Sequence, residues 1–380
     1  MSDVPTPGAL SGLRILDFSR VLAGPFATMM LADLGATVTK VERPGTGDET
    51  RSWGPPYDAR GEATYFQAVN RNKDSVVLDL AEEPGRRRAL DLARQADVVV
   101  ENFRPGVMDR LGLGYDQLRA ADDSIIYCSI TGFGAGPGAE LPGYDLLVQA
   151  LGGLMSITGS PDSEPQKVGV ALVDILAGLF ASVGILAALR HRDATGQGQR
   201  IEVDLLSSLL AGLVNQASAY TLAGVVPTRL GNAHPSISPY ELYPTADGEL
   251  VLAVGNDRQF SALCDVLEAS ELADERFSSN GQRVANRDQL REALVERLSS
   301  KPAAEWATAL TAVRVPAGVV NDLAGAFELA ASLGLEPIVE IASSDSDGDG
   351  EPVRLTRNPI GLSRTPPSYR SAPPRLPDPD

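Results

Sequence analysis

Five short apolar runs near the start of the chain leave it little freedom of fold: LRILDFS (13–19), TVTKVE (37–42), SVVLDL (75–80), DVVVEN (97–102) and SIIYCSITGF (124–133). Each is too short for a stable helix and too apolar to face water on one side, which is how strands buried on both faces of a parallel sheet read. Parallel strands need crossovers. Residues 25–34 supply one, opening on Gly24-Pro25 and closing at Gly35, and residues 83–95 carry a second helical pattern. Up to the turn DATGQGQ (193–199), the chain therefore reads as an open, doubly wound α/β domain.

After that turn, RIEVDL reads as a strand and a mostly apolar helix runs to about Leu222. The pattern then changes. ELYPTADGELVLAVG (241–255) is a hairpin turning at Asp247-Gly248, followed by helical patterns over 258–268, 286–298 and 303–312. The expected domains are a large one over 1–222, a smaller α/β one over 223–325, and a segment over 326–380 whose runs IVEIASS and PVRLT are two strands able to rejoin the first sheet. The loop between those strands, DSDGDGE (345–351), resembles a calcium loop but carries Thr356 where the twelfth position needs glutamate, so it reads as a solvated turn. The large domain is Rossmann-like, and Glu42 even ends its second strand as the acidic residue of a dinucleotide site would. Yet SRVLAGPFA follows the first strand, and no G-x-G-x-x-G is there to approach a pyrophosphate.

Between Lys167 and Arg190 stands one charged group, Asp174, in VGVALVDILAGLFASVGILAAL. About 20 apolar residues suffice to cross a bilayer. Gly169, Gly178 and Gly184, the acidic residue, and the lack of a second span or aromatic belt favour a core helix instead. A formal net charge of −17, with 22% charged and 43% hydrophobic residues, fits a globular protein whose partner is a small molecule rather than nucleic acid or an anionic membrane. Cys128 and Cys264 offer no disulfide framework, and with only His191 and His234 beside them there is no metal-ligand spacing. MSDVPTPGAL carries no secretory or transit pattern, so the expected compartment is the cytoplasm.

A carboxylate among apolar side chains costs several kcal/mol unless hydrogen bonds compensate it. The spacing predicts Asp174 at the N-cap of a helix that closes on Arg190 and Arg192, with backbone amides meeting its carboxylate. Two readings stay open: a plain cap, or a nucleophile or base beside amides that stabilise an oxyanion. Tyr144 and Asp145 begin another apolar helix in PGYDLLVQALGGLMSITG (142–159); Asp145 alone reads as a cap, and paired with Asp174 as a second carboxylate for proton handling. Gly231, Asn232 and His234, in GNAHPS, form a loop able to border a substrate site. Arg43, Arg51, Lys73, Arg104 and Arg110 stand at or near strand ends, where α/β sheets bind ligands, and are candidate phosphate contacts.

In order and spacing, LDFSRVLAGPFATMMLADLGATVTKVERPGTGDETR, NRNKDSVVLDL, VVVENFRPGVMDRLGLGYD, GYDLLVQALGGLMSITG, VGVALVDILAGL, TGQGQRIEVDLLSS and GNAHPSISPY resemble the class III CoA-transferases, over nearly the whole chain. The resemblance implies that Asp174 attacks an acyl-CoA thioester and that CoA is passed to an acceptor acid through an aspartyl-CoA thioester. It implies CoA contacts at Val21, Leu22, Ala23, Arg43, Leu78, Asp79, Leu80, Ala81, Asn102, Phe103, Arg104 and Arg110, and around 142–145. It also implies no tightly bound cofactor, acyl-CoA and small carboxylic acids as partners, and an interlinked homodimer. The family's racemase branch carries a histidine base where this chain has Tyr144, which favours transfer over racemisation; acyl-CoA binding without turnover is the other alternative. Leu22 and GNAHPS replace the glutamine and glycine run of the formyl-CoA-transferring members, and the other motifs are similar to members that move CoA from succinyl-CoA to glutarate or other dicarboxylates.

Overall fold

The computed structural model describes residues 7–342 and 351–377, so the acidic loop at 345–350 lies outside the described residues. Strands β1 (Arg14–Asp17), β2 (Thr37–Glu42), β3 (Lys73–Val77), β4 (Val98–Glu101), β5 (Ile126–Thr131) and β6 (Arg200–Asp204) form one parallel sheet in the order β3-β2-β1-β4-β5-β6. Val98, Val99, Val100 and Ile126 are fully buried, as strands covered on both faces must be. β3 starts at Lys73 rather than Ser75 because its pairing with β2 begins at Val38 opposite Lys73, which leaves 78–80 beyond the strand. The order reverses between β1 and β4, and the crevice at their C-terminal ends is where such sheets take ligands.

Helices α1 (Ala23–Asp33), α2 (Glu83–Ala93), α3 (Asp145–Leu151) and α4 (Leu172–Thr195) belong to the same unit. α4 is long and apolar enough to cross a membrane by length and composition. In the fold Val173, Ala177, Ala181, Ile185 and Ala188 make one fully buried stripe, packed on α1, β5 and β6, while Leu179, Phe180, Val183 and Leu186 are exposed. Gly178 allows the α1–α4 approach: a Cβ there would stand 2.6 Å from the Ala23 carbonyl oxygen. The helix expected after β6 is two, α5 (Leu205–Gly212) and α6 (Val214–Ala223), broken at Val214, whose φ is +39°.

The chain separates into two compact units, Met1–Leu154 with Val168–Val225 and Glu336–Asp380, and Met155–Lys167 with Val226–Leu335. The segment 155–167 belongs to the second because Gly231 N donates to Gly159 O (3.0 Å) and Arg229 Nε to Ser160 O (3.3 Å). In that unit β7 (Tyr240–Pro244), β8 (Glu249–Ala253) and β9 (Ala317–Val319) form an antiparallel sheet. Its core is shared with α7 (Asp257–Val266), α8 (Arg287–Leu298) and α9 (Ala303–Ala312), through Leu250, Leu252, Phe260, Leu290, Leu294, Leu298 and Trp306. The three-residue β9 has no sequence signature and was not expected.

The tail strands β10 (Ile338–Ile341) and β11 (Val353–Thr356) pair with each other and do not extend the parallel sheet, which corrects the expectation that they could rejoin it. Side chains tie them to the first unit instead. Arg71 Nη1 donates to Thr356 O (2.9 Å), Asn358 Nδ2 to Asp33 Oδ2 (3.0 Å), and Arg370 Nη2 to Ala36 O (2.8 Å).

Candidate active site

At the switch point lies a cavity of ≈ 300 Å³, walled by Arg20, Val21, Leu22 and Ala23 after β1, Asn102, Phe103 and Arg104 after β4, Tyr144 and the loops after β5, and Asp174 from α4. Two loops of its wall touch backbone to backbone, since a Cβ on Gly132 would come within 2.4 Å of Gly143 Cα. Only a glycine pair permits this.

Asp174 is not the cap of α4. The N-cap position is Ala171, which places Asp174 third in the helix, and the amides of Val173 and Asp174 donate to Asp145 Oδ2 (2.8 and 3.3 Å). The capping carboxylate thus arrives from another helix. Asp145 is the first residue of α3, and Gln149, one turn on and almost wholly buried, donates from Nε2 to Asp145 Oδ1 (2.5 Å) while its Oε1 accepts from Val168 N (2.9 Å). Among the described residues no donor reaches the Asp174 carboxylate. Burial, then the Asp145 charge, push its pKa up to about 7. The expectation that α4's own amides hold Asp174 is overturned, because a second carboxylate has taken them.

Tyr65 is the neighbour that sequence reasoning missed. Burial raises its pKa, with the charges of Asp174 and Asp145 adding to the shift, and it packs against the buried cluster of Leu22, Met29 and Val69. Its signal in the sequence, TYFQ, is an unremarkable helical turn.

Across the cavity the first turn of α1 offers what α4 does not. Phe26 N donates to Leu22 O, Arg20 N is bonded to Asn102 and Val21 N to Asp48, but among the described residues the amides of Leu22 and Ala23 have no acceptor. Unpaired amides at a helix N-terminus carry partial positive charge and suit an anion.

A second cavity, ≈ 210 Å³, is walled by Arg43, Leu78, Asp79, Leu80 and Ala81, and it shares Arg20 and Phe103 with the first. The Arg20 guanidinium stands 5.0 Å from the Phe103 ring centre. Arg110 ends a short helix, exposed, on neither wall. Two cations proposed for phosphates are spent elsewhere. Arg51 is paired with Glu42 (2.7 Å) over the Phe66 ring, and the fully buried Lys73 donates to Asp17 Oδ2 (3.2 Å) and Asn70 Oδ1 (3.0 Å). Gly231, Asn232 and His234 lie in the second unit, where His234 Nδ1 accepts from Ser236 N (3.1 Å) and its ring packs edge-on to Tyr240.

Residues 10–378 match the family described as CoA-transferase family III. A succinate–glutarate CoA-transferase from Agrobacterium fabrum is 44% identical over 99% of this chain and 95% of its own length. An acetyl-CoA:oxalate CoA-transferase from Acetobacter aceti is 44% identical over 85% of this chain and 83% of its own. The crystal structure of a CAIB/BAIF family protein from Brucella suis superposes with a TM-score of 0.85 at 42% identity, covering 98% of this chain and 97% of that one.

Proposed function

The chain belongs to CoA-transferase family III and is an enzyme that moves coenzyme A, and we propose that it does so through Asp174, from a donor such as succinyl-CoA to a dicarboxylic acid. The state of Asp174 carries this reading. Among the described residues nothing donates to its carboxylate, its basicity is raised by burial and by Asp145, and it shares a cavity wall with two amides that no described acceptor reaches. The relatives' acids, glutarate and oxalate, are both dicarboxylates, and Arg104 is a cation on the same wall, where Arg20 is paired with Glu49 (3.2 Å).

Asp174 attacks the thioester carbonyl; the C–S bond breaks, giving an anhydride and CoA thiolate. The thiolate attacks the aspartyl carbonyl, forming the aspartyl-CoA thioester and freeing the donor acid. The acceptor carboxylate then displaces the thiolate as a new anhydride, and the thiolate attacks the acceptor's acyl carbon, restoring the Asp174 carboxylate. Each addition makes an oxyanion, which the Leu22 and Ala23 amides stabilise. Asp145 fixes the start of α4 through the Val173 and Asp174 amides, and Tyr144 stands on the cavity wall to donate a hydrogen bond. CoA lies with its thioester in the first cavity, along Val21–Ala23 and 102–104, and its nucleotide in the second, beside Arg43 and 78–81, with Arg110 as an outer phosphate contact. The transfer requires no tightly bound cofactor.

We take the enzyme to be a cytoplasmic homodimer acting on small molecules, without a membrane or nucleic-acid partner; the exposed stripe Leu179, Phe180, Val183 and Leu186 supports a second copy against α4. A monomer mass by light scattering would remove that part. The main test is chemical. Acyl-CoA followed by hydroxylamine is expected to leave a hydroxamate on Asp174, and succinyl-CoA is expected to serve dicarboxylic acids better than monocarboxylic ones. A folded Asp174→Ala variant with activity overturns the reading.

A further inference from the structure

The turn between β1 and α1 is gripped by side chains that the transfer chemistry leaves idle. Ser19 N donates to Asp17 Oδ1 (2.9 Å), and Lys40 Nζ donates to Ser19 O (2.8 Å). Arg20 N donates to Asn102 Oδ1 (2.9 Å), and Asn102 Nδ2 returns a bond to Arg20 O (2.7 Å). Val21 N then donates to Asp48 Oδ2 (3.2 Å). The same Asp48 oxygen meets Lys40 Nζ at 2.9 Å, with both side chains 0% exposed.

What these bonds hold is a strained form. Val21 has φ +69°, in the left-handed region that a β-branched side chain resists. Such a residue stays there only where its surroundings over-determine it. Relaxed to negative φ, the turn would point the following amides elsewhere, and those are the unpaired amides of Leu22 and Ala23.

We propose that Asp48, fixed by Lys40, is a positioning residue for coenzyme A transfer: its grip on the Val21 amide keeps the turn left-handed and so keeps the Leu22 and Ala23 amides trained on the acyl group attached to Asp174. Asp48 also accepts from Thr50 N (3.0 Å) and Thr50 Oγ1 (2.7 Å), capping a 3-10 turn. A purely capping role would cost stability and leave turnover by folded enzyme untouched, which separates the two. The inference rests on Asp174 as the acyl acceptor.

The experiment uses the full chain as wild type, Asp48→Ala, Asp48→Asn, Val21→Gly and the double variant Asp48→Ala/Val21→Gly. Each is mixed with succinyl-CoA in a single turnover, quenched with hydroxylamine, and read for label on Asp174; steady-state kcat and KM are measured beside it. Asp48→Ala is expected to slow acylation and kcat ~10–100-fold, with KM for acyl-CoA changed by less than ~3-fold, as for a reacting centre misplaced by about an ångström. Glycine adopts positive φ without strain, so the double variant is expected to regain at least ~5-fold over Asp48→Ala. Asp48→Asn keeps an acceptor for Val21 but lacks the charge opposite Lys40; an intermediate loss is expected, and it decides the matter should Asp48→Ala not fold. Wild-type acylation rates in the Asp48 variants, or a double variant no faster than Asp48→Ala, overturn the positioning role. Absence of label on Asp174 in the wild-type enzyme instead overturns the nucleophile reading on which it stands.

Discussion

Two helices begin at one cavity and treat their free amides in opposite ways. α4 surrenders its first-turn amides to Asp145, a carboxylate from α3, and among the described residues no donor reaches Asp174, at its third position. α1 has no side-chain cap, and among the described residues nothing accepts from the Leu22 and Ala23 amides. A filled N-terminus builds a basic carboxylate, and an open one leaves room for the charge that carboxylate generates. Division of labour between two helix ends replaces the single cap with a dual role that the sequence invites.

The largest break in this contrast comes from removing the nucleophile. Asp174→Asn keeps the shape of the site, and its transfer activity is expected to fall by ~10⁴ or more, measured as acyl-CoA formed from the acceptor acid. Next in size is the spacing of the two helix ends. Gly178→Ala places a Cβ against the Ala23 carbonyl, at 2.6 Å, and is expected to cost ~1–3 kcal/mol in urea unfolding and to lower kcat more than KM.

Smaller effects come from proton linkage. In the free enzyme kcat/KM is expected to fall on the acid side with a midpoint near 7, because the nucleophile must be ionised. Asp145→Asn keeps an acceptor for the Val173 amide but removes the charge, and that midpoint is expected to move to lower pH by ~1 unit or less. The same raised pKa weighs on stability. Between the ordinary carboxylate value of 3.8 and about 7 the folded state holds a proton that the unfolded state has lost, so stability falls as pH rises through that window. Asp174→Asn is therefore expected to melt higher than wild type at pH 8, by at most ~4 kcal/mol of stability, with the gap shrinking below pH 7 and gone near pH 4. A gap that widens toward acid would show that Asp174 is held by donors, not stranded by burial.

The strands of the large sheet were legible because parallel strands buried on both faces leave unbroken apolar runs; each strand lies within its run except β3, which begins two residues earlier. The helices α8 and α9 were legible by periodicity, with Leu290, Leu294 and Leu298 on the buried face. β9, the break at Val214 and the membership of 155–167 were not, since each depends on a partner distant in sequence. Asp174 stood out as the wrong residue in an apolar run. That was enough to find the site and insufficient to describe it: capping statistics assign an aspartate to its own helix, and here 29 positions separate the carboxylate from an amide it caps. Arg51 and Lys73 misled for the opposite reason, because a cation near a strand end looks free until the fold supplies Glu42 or Asp17 as its partner.

The sequence by itself determined the layered α/β fold, the place of the odd aspartate and the family, since apolar period and motif order are local properties that survive without coordinates. The tertiary structure alone decided which carboxylate is hydrogen-bonded and which is stranded, and which helix keeps its amides open. Those are contests between groups far apart in the chain for a small number of backbone N–H donors, and only packing settles who reaches them first.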